Sequence, residues 1–390
     1  MAAYLSLFSG TYNQTPRPTR FARAARKLGD VTVCASGGEC AAGKDGMAFL
    51  TLPQRKKGLS AKIFRASGLV AGRYEQDIWN PSARVVFETL REQRFNAIFC
   101  HDALLLPVAL ALRDRPQNRE NCKVIMDARE FYPLEFENNA AWRLVLGGLN
   151  TYLCKRYLPK ADAVFTVSPG LAEGYAAQYG IQCRLLPSYA DRRDLVPHQT
   201  PPAGPIRCIH HGGAMPGRKL ETMIETMRLL GDGFTLDFML MPNKPAYLEV
   251  LRKQAAGMDN VRFLAPVPMP EIVSFIAQYD IGLFLLPPNT FNHRHTLPNK
   301  LFEFIQARLA VAVGPSPDMA GLVREYGLGI VADDFTPEAM AAAFQSLAPS
   351  AIDELKQRSH AAAMELSWER NEDVIMQTLS DLSSAYAGLI

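Results

Sequence analysis

The chain has 390 residues and a mass of 43.1 kDa, with 48% hydrophobic and 21% charged residues. That is ordinary globular composition, which excludes long disorder and fibrous repeats and suggests two or three domains. Forty-two Lys and Arg against 39 Asp and Glu leave a net charge of only +3, too small for a strongly basic nucleic-acid binder. The charge is uneven: residues 1–120 hold 18 Lys or Arg and 10 Asp or Glu. A basic first third suits a phosphorylated ligand or an anionic membrane surface, and a solvated basic face fits the same count.

Seven cysteines (Cys34, Cys40, Cys100, Cys122, Cys154, Cys183 and Cys208) make an odd number with no CxxC pair. This reads as reduced, mostly buried thiols of a cytoplasmic protein, not as a disulfide or zinc framework. The opening MAAYLSLFSG has no positive stretch and turns polar at once, as a first strand does and a signal peptide does not. The longest apolar run, 103–112, has ten residues and contains Pro107, too short to span a bilayer.

In chain order, short apolar runs predict buried strands at 4–8, 31–34, 97–100, 123–126, 163–167 and 183–186. Between them, helical patterns fall at 19–28, 85–93, 103–113, 140–157 and 171–179. This alternation predicts βαβ units and a parallel sheet covered on both faces. Residues 196–205 hold four prolines and read as an interdomain linker between a first domain, 1–195, and a second, 206–366. The second series has strands at 206–210, 235–239, 261–264, 281–285, 310–313 and 329–331. Its helices fall at 220–230, 245–255, 270–278, 298–306, 317–326 and 337–347. A long helical tail over 351–386 closes the chain, its part 367–390 returning to the first domain. Two α/β halves of this kind leave a central cleft, the usual ligand site.

The segment Ile209-His210-His211-Gly212-Gly213-Ala214-Met215-Pro216-Gly217-Arg218-Lys219-Leu220 reads as strand, glycine loop and helix. Glycines there let backbone N–H groups approach a ligand, and the helix start favours negative charge. With Arg218 and Lys219 beside it, the loop describes a phosphate or diphosphate site. Gly212 and Gly217 have P-loop spacing, but the Lys-Ser/Thr pair is replaced by Arg218-Lys219, and GxGxxG is absent. A second segment, His293 to Phe304, puts Pro298 at a helix start with Lys300 in the first turn. A cation there opposes the helix dipole, so an anionic ligand is the compensating benefit. Glu303 shares a face with Asn299 and Lys300, and a carboxylate beside an anion site suits ribose hydroxyls. A surface Lys–Glu pair is the plain alternative.

At this point a family resemblance enters. HHGGAMPGRKLETMIETM (210–227), VRFLAPVPMPEIVSFIAQYDIGLFLLPP (261–288) and LPNKLFEFIQARLAVAVGPSPDMAGLV (297–323) resemble the donor domain of GT-B glycosyltransferases, specifically retaining family 4. FCHDALLLPVA (99–109), VIMDAREFYP (124–133), FTVSPGLAEGY (165–175) and SWERNEDVI (367–375) extend the likeness along the chain. The resemblance implies two Rossmann-like parallel-sheet domains and sugar transfer, with retention, from a nucleoside-diphosphate sugar to a hydroxyl acceptor. The implied setting is bacterial polysaccharide or glycolipid assembly, with a lipid-linked saccharide among the acceptors. It implies that Gly212, Gly213, Arg218 and Lys219 hold the donor diphosphate. Backbone N–H groups of the helix opening at Pro298, Asn299, Lys300 and Leu301 meet it too. Glu303 would bind the ribose, and 266–272 would meet the base. Members often have arginine where this chain has Gly213, a second glutamate where it has His295, and histidine where it has Arg129.

Breaking a sugar–diphosphate bond builds negative charge on the leaving oxygen, which fixed cations and N–H groups stabilise. With no Asp-x-Asp in the chain, the reading has no metal and no cofactor; Arg218 and Lys300 take the ion's place. His101 and His295 complete the catalytic candidates. Asp102, Asp127, Arg129 and Glu130 form the acceptor side. His101 suits deprotonation of a hydroxyl, while Asp102 reads equally well as a helix cap. His210 and His211 border the phosphate loop. Arg55, Lys56, Lys57, Lys62, Arg65 and Arg73 surround Leu59, Ile63, Phe64, Leu69 and Val70, a stretch suited to peripheral contact with an anionic inner leaflet. The alternatives are a catalytically inactive binding or scaffold homologue and a nucleotide-sugar epimerase.

Overall fold

The structure is a computed structural model that describes residues 2–55 and 58–387, so Lys56 and Lys57 of the basic stretch lie outside it. The chain divides into two compact units. One comprises Met1–Pro187, Thr290–Asn292 and Glu372–Ile390; the other comprises Ser188–Asn289 and His293–Asn371. Among the described residues, no helix is long and apolar enough to cross a membrane.

The first unit is built on strands β1 (Ala2–Leu7), β2 (Gly29–Ala35), β3 (Ala48–Thr51), β4 (Ala97–Cys100), β5 (Lys123–Ala128), β6 (Ala163–Thr166) and β7 (Arg184–Leu185). They pair in parallel in the order β3-β2-β1-β4-β5-β6-β7. Strand β4 is buried at every position, as a run of Ala, Ile, Phe and Cys must be when helices cover both faces. One face packs Leu5, Leu7, Ile98, Val124 and Met126. The other gathers Phe99 and Phe165 around Phe21 at ring distances of 5.6 and 6.1 Å. Strand β3 is not among the expected strands although Ala48-Phe49-Leu50 is apolar; it is an edge strand whose side chains are all at least partly exposed.

The second unit repeats the plan with β8 (Ile206–Gly213), β9 (Phe234–Met241), β10 (Val261–Leu264), β11 (Ile281–Phe284), β12 (Ala310–Val313) and β13 (Gly329–Val331), in parallel order β10-β9-β8-β11-β12-β13. Cores lie on both faces. Cys208, Leu236, Phe238 and Leu283 point to one, and Ile209, Met239 and Phe284 to the other, following the two-residue period of a strand. The order of each sheet places a switch point beside its first strand, at β1/β4 and β8/β11, where α/β sheets bind ligands beyond the carboxyl ends of the strands.

Two expected elements are corrected. The tail over 351–386 is two helices, Pro349–Ala362 and Trp368–Ala387. Between them the chain turns to bury Leu366 and Trp368, the Trp368 N–H bonding the Ala190 carbonyl at 2.9 Å. The helix expected from Pro298 starts at Asn299, with Pro298 in extended backbone as its cap residue. Residues 196–205 have no regular structure. They are tied down within the second unit by His198 Nε2 on Asp280 (2.9 Å) and the Thr200 N–H on Asp353 (2.8 Å).

Candidate functional site

In the second unit, β8 runs out through His210 and His211 into the glycine loop. Gly212 has φ +125°, a left-handed conformation that glycine accepts without strain. A side chain there would meet the Lys300 ammonium, since a Cβ would lie 3.2 Å from its Nζ. A Cβ at Gly213 would lie 2.7 Å from Asn243 Oδ1. The position where the resembling family carries arginine is thus covered by Asn243. Arg218 ends a single 3₁₀ turn, Pro216–Arg218, and folds back so that Nη1 donates to the Gly213 carbonyl at 3.3 Å. Gly212, Gly213, Arg218 and Lys300 therefore form one cluster at the carboxyl end of β8.

Lys300 lies in the first turn of the helix Asn299–Gln306, yet its side chain is only 6% exposed. Its Nζ stands 3.4 Å from His210 Nε2 and 4.0 Å from the centre of the Phe284 ring, a cation–π arrangement. Burial and then the neighbouring Arg218 push this ammonium well below its ordinary value, with Glu303 acting against them. His210 is fully buried and donates from Nδ1 to the Leu283 carbonyl across the β8/β11 pair at 2.8 Å. Burial and Lys300 hold it well below the usual histidine value and push His211 down to about 3. His211 Nε2 faces Glu303 Oε2 at 3.4 Å, bringing Glu303 to the same cluster.

The other donor-side candidates fall differently. Lys219, in left-handed backbone at φ +52°, is exposed with Nζ 4.0 Å from Glu221. Asn299 is exposed, Leu301 is buried in the core, and Pro298 is half-buried. His295 directs Nδ1 at Asp318 Oδ2, 2.7 Å away in the first turn of the helix Pro317–Tyr326.

In the first unit, His101 follows β4 and is fully buried. Its Nδ1 bonds Asp127 Oδ2 at 2.9 Å, while its Nε2 has no hydrogen-bond partner. Asp127 is itself gripped by Arg17, whose Nε reaches both carboxylate oxygens at 2.9 and 2.8 Å and whose Nη2 reaches Oδ1 at 2.7 Å. Burial raises the Asp127 carboxyl, but Arg17 and His101 outweigh it and hold it well below the usual range. Burial lowers His101 despite Asp127. Asp127 is thus sealed inside a buried Arg17–Asp127–His101 chain rather than presented to an acceptor. Asp102 does not cap the 3₁₀ turn that follows it; it accepts from the Ser9 N–H at 2.6 Å and the Ser9 hydroxyl at 2.9 Å. That bond spans the ends of β1 and β4. Arg129 lies 3.5 Å from Asp102 and donates to the His101 carbonyl at 3.2 Å. Glu130 is exposed, and its carbonyl receives the Tyr175 hydroxyl at 2.6 Å.

Arg17 and Asn243 are absent from the residues the sequence picks out. Arg17 carries the signal that exposes Lys300: it is a cation in the first turn of a helix, Pro16–Arg26, whose first turn holds no acid. Asn243 has no such mark. Among the described residues, no group of three or more His, Cys, Asp or Glu is arranged to hold a metal ion.

No protein-family model matches the sequence. No curated protein matches it by sequence. Solved structures do match it over nearly its whole length. A glycosyltransferase from Rickettsia africae is 10% identical with a TM-score of 0.69, covering 98% of each chain. Sucrose-phosphate synthase from Thermosynechococcus elongatus is 14% identical with a TM-score of 0.72, covering 98% of this chain and 99% of its own. HepE from Anabaena, solved with UDP-glucose, is 13% identical with a TM-score of 0.70, covering 97% and 99%. The chain therefore has the α/β GT-B fold of these glycosyltransferases, two parallel-sheet units of Rossmann-like strand order.

Proposed function

We propose that the protein is a glycosyltransferase that moves a sugar from a nucleoside-diphosphate sugar to a hydroxyl acceptor. The observation that carries this reading is the cluster of Gly212, Arg218 and Lys300 at the β8/β11 switch point. Two cations from different elements converge there on an open stretch of backbone, beside the first turn of a helix whose leading N–H groups lie outside its own ladder. A diphosphate fits this chemistry. As the sugar–oxygen bond breaks, charge grows on the leaving phosphate, and groups already fixed in place stabilise it without reorganising.

Glu303 sits where it accepts ribose hydroxyls, with neutral His211 behind it. Arg218 and Lys300 supply the positive charge for the leaving group. HepE, one of the structural neighbours, was solved with UDP and with UDP-glucose, which supports a uridine nucleotide as the first donor to try. Retention of configuration, and a role in bacterial surface polysaccharide or glycolipid assembly at the inner membrane face, belong to the same reading. They rest on the sequence resemblance.

A panel of UDP, GDP, ADP, CMP and TDP sugars in a thermal-shift assay tests the donor class. Arg218→Ala and Glu303→Ala are each expected to weaken nucleotide binding about tenfold or more, the loss that follows removal of a charged hydrogen-bonding group. Release of nucleoside diphosphate only when acceptor is present marks transfer. A changed sugar still attached to its nucleotide would mark an epimerase instead, and nucleotide binding without turnover a scaffold. Unchanged affinity in both variants would sink the donor assignment.

A further inference from the structure

The first unit holds a groove that donor chemistry does not use. Its outer part, about 610 Å³, is lined by Phe64, Leu69 and Val85 together with Arg73 and Asp77. Its inner part, about 430 Å³, reaches Ser9, Ser36 and Asp102. The two share Pro53, Arg55, Ala61, Arg65 and Asn80, so they are one continuous channel. Each volume is of the size that small-molecule sites have. The inner end lies beyond the carboxyl ends of β1, β2 and β4, at the first unit's own switch point.

Three chemistries follow one another along this channel. The outer wall is apolar. The helix Leu59–Val70 buries only Leu69 and leaves Phe64 76% exposed, lining the channel. The shared middle is cationic. Arg55 Nη1 and Arg65 Nε both reach Asp77 Oδ1 at 2.7 Å, which fixes the two guanidiniums in the channel wall with one carboxylate between them. Arg55 and Arg65, two of the arginines expected beside a bilayer, thus share one carboxylate and stay partly exposed. Among the described residues that line the channel, Arg55, Lys62, Arg65 and Arg73 face Asp77 and Asp102, an excess of two positive charges. The inner end sets the Ser9 and Ser36 hydroxyls and the Asp102 carboxylate beside Leu52, Leu104 and Leu105.

We infer that this channel binds one molecule of an anionic amphiphile. Its hydrocarbon chain lies against Phe64, Leu69 and Val85, its phosphate lies between Arg55, Arg65 and Arg73, and any polar group beyond the phosphate reaches Ser9 and Asp102. Apolar wall, cations and carboxylate follow the order of a lipid, its phosphate and a hydroxyl-bearing head. Only the role of that head as sugar acceptor rests on the transferase reading; the binding of the amphiphile stands without it.

The test is calorimetric titration of the full chain with monomeric decyl phosphate, decyl maltoside and inorganic phosphate. Saturable one-to-one binding of decyl phosphate, at least tenfold tighter than either control, is expected. Ala61→Trp, which fills the shared middle, should abolish it, and Arg73→Gln should weaken it several-fold. Both variants should bind UDP as the parent does, which also reports that they fold. Equal affinity for the neutral detergent, or full binding by the filled variant, overturns the inference. So does cosedimentation with phosphatidylglycerol vesicles without saturable binding of the monomer, which would mean a flat membrane contact. Loss of UDP binding by the parent chain, with decyl phosphate still bound, would remove the donor reading and leave the channel standing.

Discussion

His210 Nε2 stands 3.4 Å from the Lys300 ammonium, while His210 Nδ1 is committed to the Leu283 carbonyl at 2.8 Å. A carbonyl only accepts, so Nδ1 carries the ring hydrogen and Nε2 turns its lone pair to the lysine. The strand pair β8/β11 thus fixes a tautomer, and the tautomer aims a cation ninety positions further along the chain. His210→Phe should remove that acceptor and lower UDP affinity about tenfold, whereas His210→Gln, which keeps an acceptor, should recover most of it. Equal loss in both would mean that the histidine only fills space.

Lys300 predicts a pH dependence of its own. Burial holds its folded value well below the ordinary lysine range, and a bound diphosphate would raise it again. Binding therefore takes up a proton between the free and bound values, so affinity should fall as pH rises through that window, by at most about tenfold per pH unit. Calorimetry of UDP binding in two buffers of different ionisation enthalpy, above the second phosphate ionisation near about pH 6, reads this uptake directly. Lys300→Met should bind more weakly and lose the proton signal.

Acid stability follows from the paired histidines. His210 and His211 are buried, and both have folded values below the unfolded one, His211 at about 3. Above the unfolded value near about 6.5 both states are neutral and stability is at its full level. As pH falls below it, the unfolded chain takes up protons that the folded chain refuses, costing about 1.4 kcal/mol per histidine per pH unit. For His211 this continues down to about 3. Urea unfolding between pH 8 and 4.5 should show that slope, and His211→Asn should reduce it by one proton.

The Gly213–Asn243 overlap makes a paired test. Gly213→Arg, which restores the residue common in the resembling family, should fail to raise UDP affinity while Asn243 remains, because Asn243 Oδ1 lies 2.7 Å from the new Cβ. Combining it with Asn243→Gly should relieve the clash. If the single variant already binds UDP more tightly, Asn243 does not guard this position.

Asp127 is a stability test. Asp127→Ala leaves the Arg17 guanidinium buried with no carboxylate, and loss of one partner from a buried pair costs about 3–5 kcal/mol. Equilibrium denaturation should show a loss of that size. A change below about 1 kcal/mol would mean that water reaches Arg17.

Much of this molecule is written locally. The runs of 97–100 and 310–313 match strands residue for residue and are buried at every position, because a strand buried on both faces must be continuously apolar whatever lies around it; the edge runs 261–264 and 329–331 match as well, though only partly buried. The glycine loop and the lysine at a helix start were legible because both violate local preference and so require a partner. What local preference leaves undecided is where a side chain goes once its element is placed. Lys300 turns into the cluster and Lys219 out to Glu221; Asp127 is sealed by Arg17, 110 positions earlier. Arg55 and Arg65 both bond Asp77. The Arg17–Asp127 pair depends on charges that strand order brings within 3 Å across 110 positions, and sequence spacing carries no record of that distance.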